Sequence, residues 1–315
     1  MHNPVLESIR PIIEKLQHIQ ISFDAVEQYR VDLKNANSSE MGFGPFDFSV
    51  FSEQDQLHLL MLLCATNFCY WGDPKWSPKM NGKELGGQWG NIFCLIRALQ
   101  SGIPITSAEY LVKITLRDCQ KLYKANTEIP LLEERWKIFQ EIGRGLQKYN
   151  GDFRNFIALC GGDAWNFLDH LTKLFPSFDD SYVVNRKKVI FYKRAQLFVA
   201  FLQNFFPETF GKFSNAELTA FADYKQPIVL ERLHLITLSP ELRDRIIQKE
   251  AIQEGSREEM ELRAVQVWIC ELIRKRLVHE DPHITAPLVS THFWLLAKQK
   301  VAGDIPHHRT LTTRY

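Results

Sequence analysis

No P-loop, GxGxxG, HExxH or GxSxG stretch occurs anywhere in this 315-residue sequence. Their absence removes the usual nucleoside-triphosphate, dinucleotide, zincin and serine-hydrolase readings. Net charge is nearly absent as well, with 38 Lys and Arg against 37 Asp and Glu. Without a global positive field the chain is a poor match for a long polyanion, and no stable nucleic-acid partner is expected. A local basic pocket stays open, because one phosphate needs only a few placed donors. Cysteine is sparse: Cys64, Cys69, Cys94, Cys119, Cys160 and Cys270 form no CxxC pair or regular framework. Buried free thiols and a reducing, cytoplasmic setting are the expectation. The apolar run over residues 57–64 is too short to span a bilayer, and Met1-His2-Asn3-Pro4 opens no leader, so no membrane association is expected. Neither an internal repeat nor a low-complexity linker divides the chain. One domain over residues 1–315 is expected, with a bilobal form of it left open.

What the sequence does have is helical periodicity. Val5, Ile9, Ile12, Ile13, Leu16 and Ile19 follow helical spacing and predict an amphipathic opening helix. Residues 54–66 read as a buried helix with a polar lead-in at Ser52-Glu53-Gln54-Asp55. Further helices are expected at residues 23–33, 91–101, 116–124, 131–149, 152–159, 164–175, 193–206, 215–222, 228–235, 240–254, 258–280 and 285–300. Thr106, with Glu109 three residues on, reads as a helix cap, and residues 35–45 read as a loop. Strand is expected only in a short hairpin before Trp89 and near residues 182–191. The fold class is therefore mainly α, a compact helical arrangement with at most short β-hairpins.

Four groups of residues invite a chemical reading. Asn67-Phe68-Cys69-Tyr70-Trp71 stands where a buried helix runs into a loop rich in Pro and Gly, and aromatics there suit a flat ligand. The plain alternative is that Phe68 and Trp71 form one core-facing stripe. Lys193-Arg194-Ala195-Gln196 opens an apolar helix, and successive helical residues diverge by about 100°, so Lys193 and Arg194 point in different directions. One can meet an anion while the other is structural, or both can lie on a solvated face. Asp223, between aromatics Phe221 and Tyr224, can stabilise positive charge developing on a sugar or orient a water, or it can cap the helix that follows. His307-His308-Arg309 lie in a cationic, aromatic closing segment. Adjacent histidines diverge and no Cys/His pattern completes a metal site, so no metal is expected.

In these segments the sequence resembles the queuosine salvage family, the queuosine 5'-phosphate N-glycosidases. The resemblance also rests on Arg97-Ala98-Leu99, Gly102-Ile103-Pro104-Ile105-Thr106, Phe175-Pro176-Ser177 and the stretch from His308 to Tyr315, and it runs from about residue 60 onwards. It implies a helical fold related to the helix-hairpin-helix DNA glycosylases, acting without a cofactor on a free modified nucleotide to release queuine for tRNA. By the same carry-over Asp223 is the catalytic carboxylate, Asn67, Phe68 and Trp71 line the base pocket, and Lys193 lies in the active site. Arg194, Phe221 and Tyr224 join the substrate-binding set, and charge alone adds His308 and Arg309 near the phosphate. The sequence departs from the family pattern at Lys225, where Arg is expected, at Gln226-Pro227-Ile228, and at residues 42–48, which lack an expected histidine. A DNA base-excision glycosylase and a non-catalytic nucleotide-binding protein are the rival readings; the first requires a duplex-binding surface.

Overall fold

Residues Leu57 to Ala65 are buried without a break, and the chain is organised around the helix they form. In the computed structural model, which describes residues 3–31, 46–160, 163–210, 218–299 and 301–315, that helix is Glu53–Ala65. Ser52 starts it by accepting from the amide of Asp55 at 3.1 Å, satisfying one of the orphan N–H groups of the first turn. Packed about it are the helices Lys193–Phe205, Gly87–Gln100, Phe153–Leu159 and Leu132–Gln147.

Two apolar clusters result. One gathers the central helix and its neighbours, including Phe153, Phe167, Phe175 and Phe198. The other gathers Val5, Ile9 and Ile12 of the helix Pro4–Ile13 with the long helix Arg257–Leu277 and the helix Ala286–Leu296. Residues 218–222 run along the seam: Leu218 and Phe221 belong to the first cluster, Ala220 and Ala222 to the second.

Helix takes 54% of the described residues, and the strands among them are three short antiparallel pairs. Two were expected. Lys79–Met80 pairs with Lys83–Glu84 across Asn81-Gly82, both with positive φ, and Ser181–Val184 pairs with Lys187–Ile190 across Asn185-Arg186, also both positive. Such turns match the twist of a hairpin. The third pair, Ile19–Ile21 with Ile236–Leu238, corrects the expectation of an opening helix reaching Ile19. That helix ends at Ile13, and the alternate burial of Ile19 and Ile21 is the period-two pattern of a strand.

A second correction falls at residues 215–222. Residues 218–223 form neither helix nor strand, while 215–217, like the expected loop at 35–45, lie outside the described residues. The cap expected of Thr106 belongs to Ser107, which starts the helix Ala108–Lys113; Thr106 instead donates to Asp55. No described helix is long and apolar enough to cross a membrane.

Candidate active site

The central helix ends at Ala65, and the irregular backbone that follows it forms one wall of a cavity of about 320 Å³, a volume in the range of small-molecule sites. Arg135 fixes this wall. Its guanidinium donates to the carbonyls of Thr66, Phe68 (2.6 Å) and Cys69 (3.1 Å), and its Nε donates to that of Pro130 at 3.1 Å. The ring of Phe68 lies 4.1 Å from the guanidinium carbon. Asn91 adds a neutral brace, donating to Thr66 Oγ1 at 2.9 Å and to Tyr70 Oη at 2.8 Å. Asn67, Phe68 and Tyr70 thereby face the cavity.

A second wall comes from Phe221 and Asp223, part of the irregular stretch 218–223, every residue of which is buried. Buried backbone outside a helix or sheet must find other partners. Here they are side chains. Gln196 accepts from the amide of Thr219 at 2.8 Å, and Ser290 Oγ accepts from that of Phe221 at 3.1 Å. Gln226 donates to the carbonyl of Phe221 at 3.2 Å. Gln266 accepts from the amide of Asp223 at 2.8 Å and donates to its carbonyl at 2.9 Å.

Asp223 is 8% exposed and lines the cavity. Its Oδ1 accepts from the amides of Lys225 (2.8 Å) and Gln226 (3.1 Å), which leads the chain into the helix Gln226–Arg232. Among the described residues no hydrogen bond reaches Oδ2. One oxygen shapes the turn and the other is available to a ligand.

Lys193 is placed by a bend at Tyr192, whose φ of 50° is left-handed. Asp180 Oδ2 accepts from the amide of Lys193 at 3.1 Å, and Arg263 holds both Asp180 oxygens, at 2.8 and 2.5 Å. The Lys193 ammonium donates to the carbonyl of Asn67 at 3.4 Å, joining the first wall. Burial pulls its pKa down to about 8, against the opposing pull of Asp223, so at neutral pH it remains mostly charged.

At another part of the lining, the Lys298 ammonium sits 3.9 Å from the ring centre of Trp89 and 3.7 Å from that of Trp294. The helix Gly87–Gln100 starts here without a side-chain cap, at Gly86 and at Gly87 with φ +63°. The Lys75 ammonium lies so near that a Cβ on Gly86 would be 2.8 Å from it. Lys75, Lys193, Lys225 and Lys298 line the cavity with Asp223 as the carboxylate among the lining residues. That balance favours a flat, anionic ligand. Among the described residues no group of three His, Cys, Asp or Glu is arranged to hold a metal.

The model of one protein family, described as queuosine salvage protein, matches residues 49–315. The chain belongs to the queuosine salvage family. A Sphaerobacter thermophilus protein named queuosine 5'-phosphate N-glycosylase/hydrolase is 36% identical over 314 residues, covering 99% of this chain and 97% of that protein. Proteins of the same name from Mus musculus and Bos taurus are 31% identical over 281 residues (84% and 83% of the two chains) and 32% identical over 267 (79% and 78%).

Of the site residues expected for a queuosine salvage protein, Asn67, Phe68, Lys193, Phe221, Asp223 and Tyr224 meet in this cavity. The others stand behind it. Trp71 packs 6.5 Å from the ring of His307 and 5.6 Å from the Arg309 guanidinium, and Arg309 pairs with Asp73 at 2.5 Å. Arg194 donates to the carbonyls of Ala65 and Ser177 and lies over Phe68 and Phe178 at 5.2 and 5.4 Å, so it fixes the end of the central helix. Lys193 and Arg194 do face different ways. His308 is 3.3 Å from the Tyr315 hydroxyl, and burial drives its pKa down to about 3, leaving a neutral ring where charge had suggested a cation. Lys75, Ser290, Trp294, Lys298 and Tyr315 line the cavity without having been singled out. A partial signal was there in Trp294 and Lys298, four residues apart at the end of an apolar helix.

Proposed function

We propose that this protein hydrolyses the N-glycosidic bond of queuosine 5'-phosphate and releases queuine for reuse in tRNA. The name shared by its relatives supports the reaction. The observation that carries it is Asp223, with one oxygen tied into a turn and the residue lining a cavity rich in lysine and tryptophan. The substrate is a small molecule, and a cytoplasmic setting without a stable nucleic-acid partner fits the near-neutral charge of +1.

Queuine is a 7-deazaguanine and lacks the ring nitrogen through which a purine is commonly activated, so the barrier must be lowered on the sugar side. The ionised Asp223 stabilises positive charge developing at C1′ and orients a water. The water oxygen bonds to C1′ as the bond from C1′ to the base nitrogen breaks. One hydrogen stays on the new hydroxyl, and the other proton passes to the departing base. Phe68, Phe221 and Tyr224 hold the ring system, Asn67 supplies an amide to its edge, and Lys193 balances charge beside Asp223. Lys75 and the uncapped helix start at Gly86 and Gly87 suit the 5'-phosphate. Trp71, Arg194, His308 and Arg309 act from behind these residues.

Incubation with queuosine 5'-phosphate, and separately with queuosine, followed by mass spectrometry for free queuine, tests the proposal. The nucleotide should be preferred in kcat/KM by about tenfold or more, the worth of a charged hydrogen bond. Absence of queuine from both incubations ends it.

A further inference from the structure

Glu259, Arg263 and Gln266 follow one another at spacings of four and three along the helix Arg257–Leu277, which places them on one face. All three are fully buried. Polar groups persist in an interior only where partners match them, and the partners here are the two sides of the reacting centre. Gln266 takes both backbone groups of Asp223, accepting at 2.8 Å and donating at 2.9 Å. Arg263 grips Asp180, and Asp180 in turn receives the amide of Lys193. Glu259 lies 3.7 Å from the Arg263 guanidinium and is steadied by the Tyr182 hydroxyl and the Gly255 amide, each at 3.2 Å.

We propose that Gln266 and Arg263 are positioning residues for the hydrolysis, one helical face setting the separation between the Asp223 carboxylate and the Lys193 ammonium. The inference rests on the reaction proposed above. A glutamine amide offers one donor and one acceptor at the spacing of a peptide group, so Gln266 takes the place of a neighbouring strand. It fixes the backbone of Asp223 without adding a charge beside the carboxylate. The planar fork of Arg263 fits both oxygens of Asp180, which an ammonium could not do. Three residues of helix rise about 4.5 Å, a rigid step between the two points of attachment. Asp223 and Lys193 belong to separate segments, and this helix gives them a common reference.

The test is Gln266→Met, which keeps length and removes both hydrogen bonds. Its kcat with queuosine 5'-phosphate should fall about tenfold to hundredfold, the cost of a misplacement of about 1 Å, with KM nearly unchanged. Without substrate, the Lys193 amine, followed by NMR, should titrate at lower pH than in the unaltered protein, because Asp223 no longer supports its charge. Gln266→Glu keeps the acceptor, loses the donor and sets an anion near Asp223, so the acidic limb of its kcat profile should move to higher pH. Should Gln266→Met fail to fold, Arg263→Lys carries the same readouts, since it keeps the charge and loses the fork. A folded variant with unaltered kcat and an unaltered Lys193 titration overturns the inference. So does a loss that appears only as fewer folded molecules, each with normal kcat. If the unaltered protein releases no queuine while Gln266→Met still shifts the Lys193 titration relative to it, the reaction is refuted and the geometric coupling stands.

Discussion

Residues 66–69 and residues 218–223 are both irregular, buried backbone facing one cavity, yet opposite kinds of side chain hold them. The first wall is gripped by a guanidinium, with Arg135 donating to the carbonyls of Thr66, Phe68, Cys69 and Pro130. The second is held by neutral groups, namely Gln196, Gln226, Gln266 and Ser290. A cation is a strong anchor for clustered carbonyls. Beside the Asp223 carboxylate a further cation would lower the charge available to a ligand, since opposite charges a few ångströms apart interact strongly in an interior. Neutral amides hold the backbone of Asp223 in place without adding a further cation to the Lys193 ammonium that already acts on its carboxylate.

The sharpest way to break the comparison is to remove the charge that the second wall protects. Asp223→Asn keeps the shape and a carbonyl oxygen able to accept from Lys225 and Gln226, so the fold should persist. Turnover should drop about 10²–10³-fold, the range for loss of one electrostatic contact in a transition state. Near-normal turnover in single-turnover kinetics would refute the role assigned to Asp223. Altering the first wall should cost stability before chemistry. Arg135→Met strands several buried carbonyls, each worth about 1–3 kcal/mol, and denaturant unfolding should show a loss of about 3 kcal/mol. Unchanged stability would mean that the guanidinium is not what holds residues 66–69.

Lys193 bridges the two walls, and its effect should be the smallest. Lys193→Met should lower kcat/KM about tenfold at neutral pH, as expected for loss of a charged hydrogen bond. The sign of its pH dependence follows from burial, which brings the ammonium pKa down to about 8. The protonated form is the one that balances charge beside Asp223, so kcat/KM should fall as pH rises through about 8. The methionine variant should lose that limb. A limb that survives in the variant belongs to another group.

The helices of this protein could be read from their periodicity, because apolar spacing and capping residues are local signals. Asp223 drew notice for a different reason, its place between aromatics before a proline, which left capping open; its catalytic role was implied by the family resemblance. The conformation around it was not readable. Residues 215–222 look helical in pattern, but beside the nearby Gln226 the backbone partners of residues 219–223 are Gln196, Gln266 and Ser290, residues far along the chain that no local window contains. Gln266 itself carried a weak mark, as an amide between Val265 and Val267 in a buried helix. The closing segment misled in another way. His308 and Arg309 read as two cations, yet burial neutralises one and Asp73 engages the other, and neither environment is visible in the order of residues.

The alternation along residues 218–223 has a consequence for how the site fails. The Thr219 amide is held from the helix Lys193–Phe205, within the first apolar cluster, whereas the Phe221 and Asp223 amides are held from helices of the second. Hydrogen exchange at these neighbouring amides therefore reports on two different openings of the molecule. The segment that carries Asp223 lasts only as long as the weaker of the two cores stays closed.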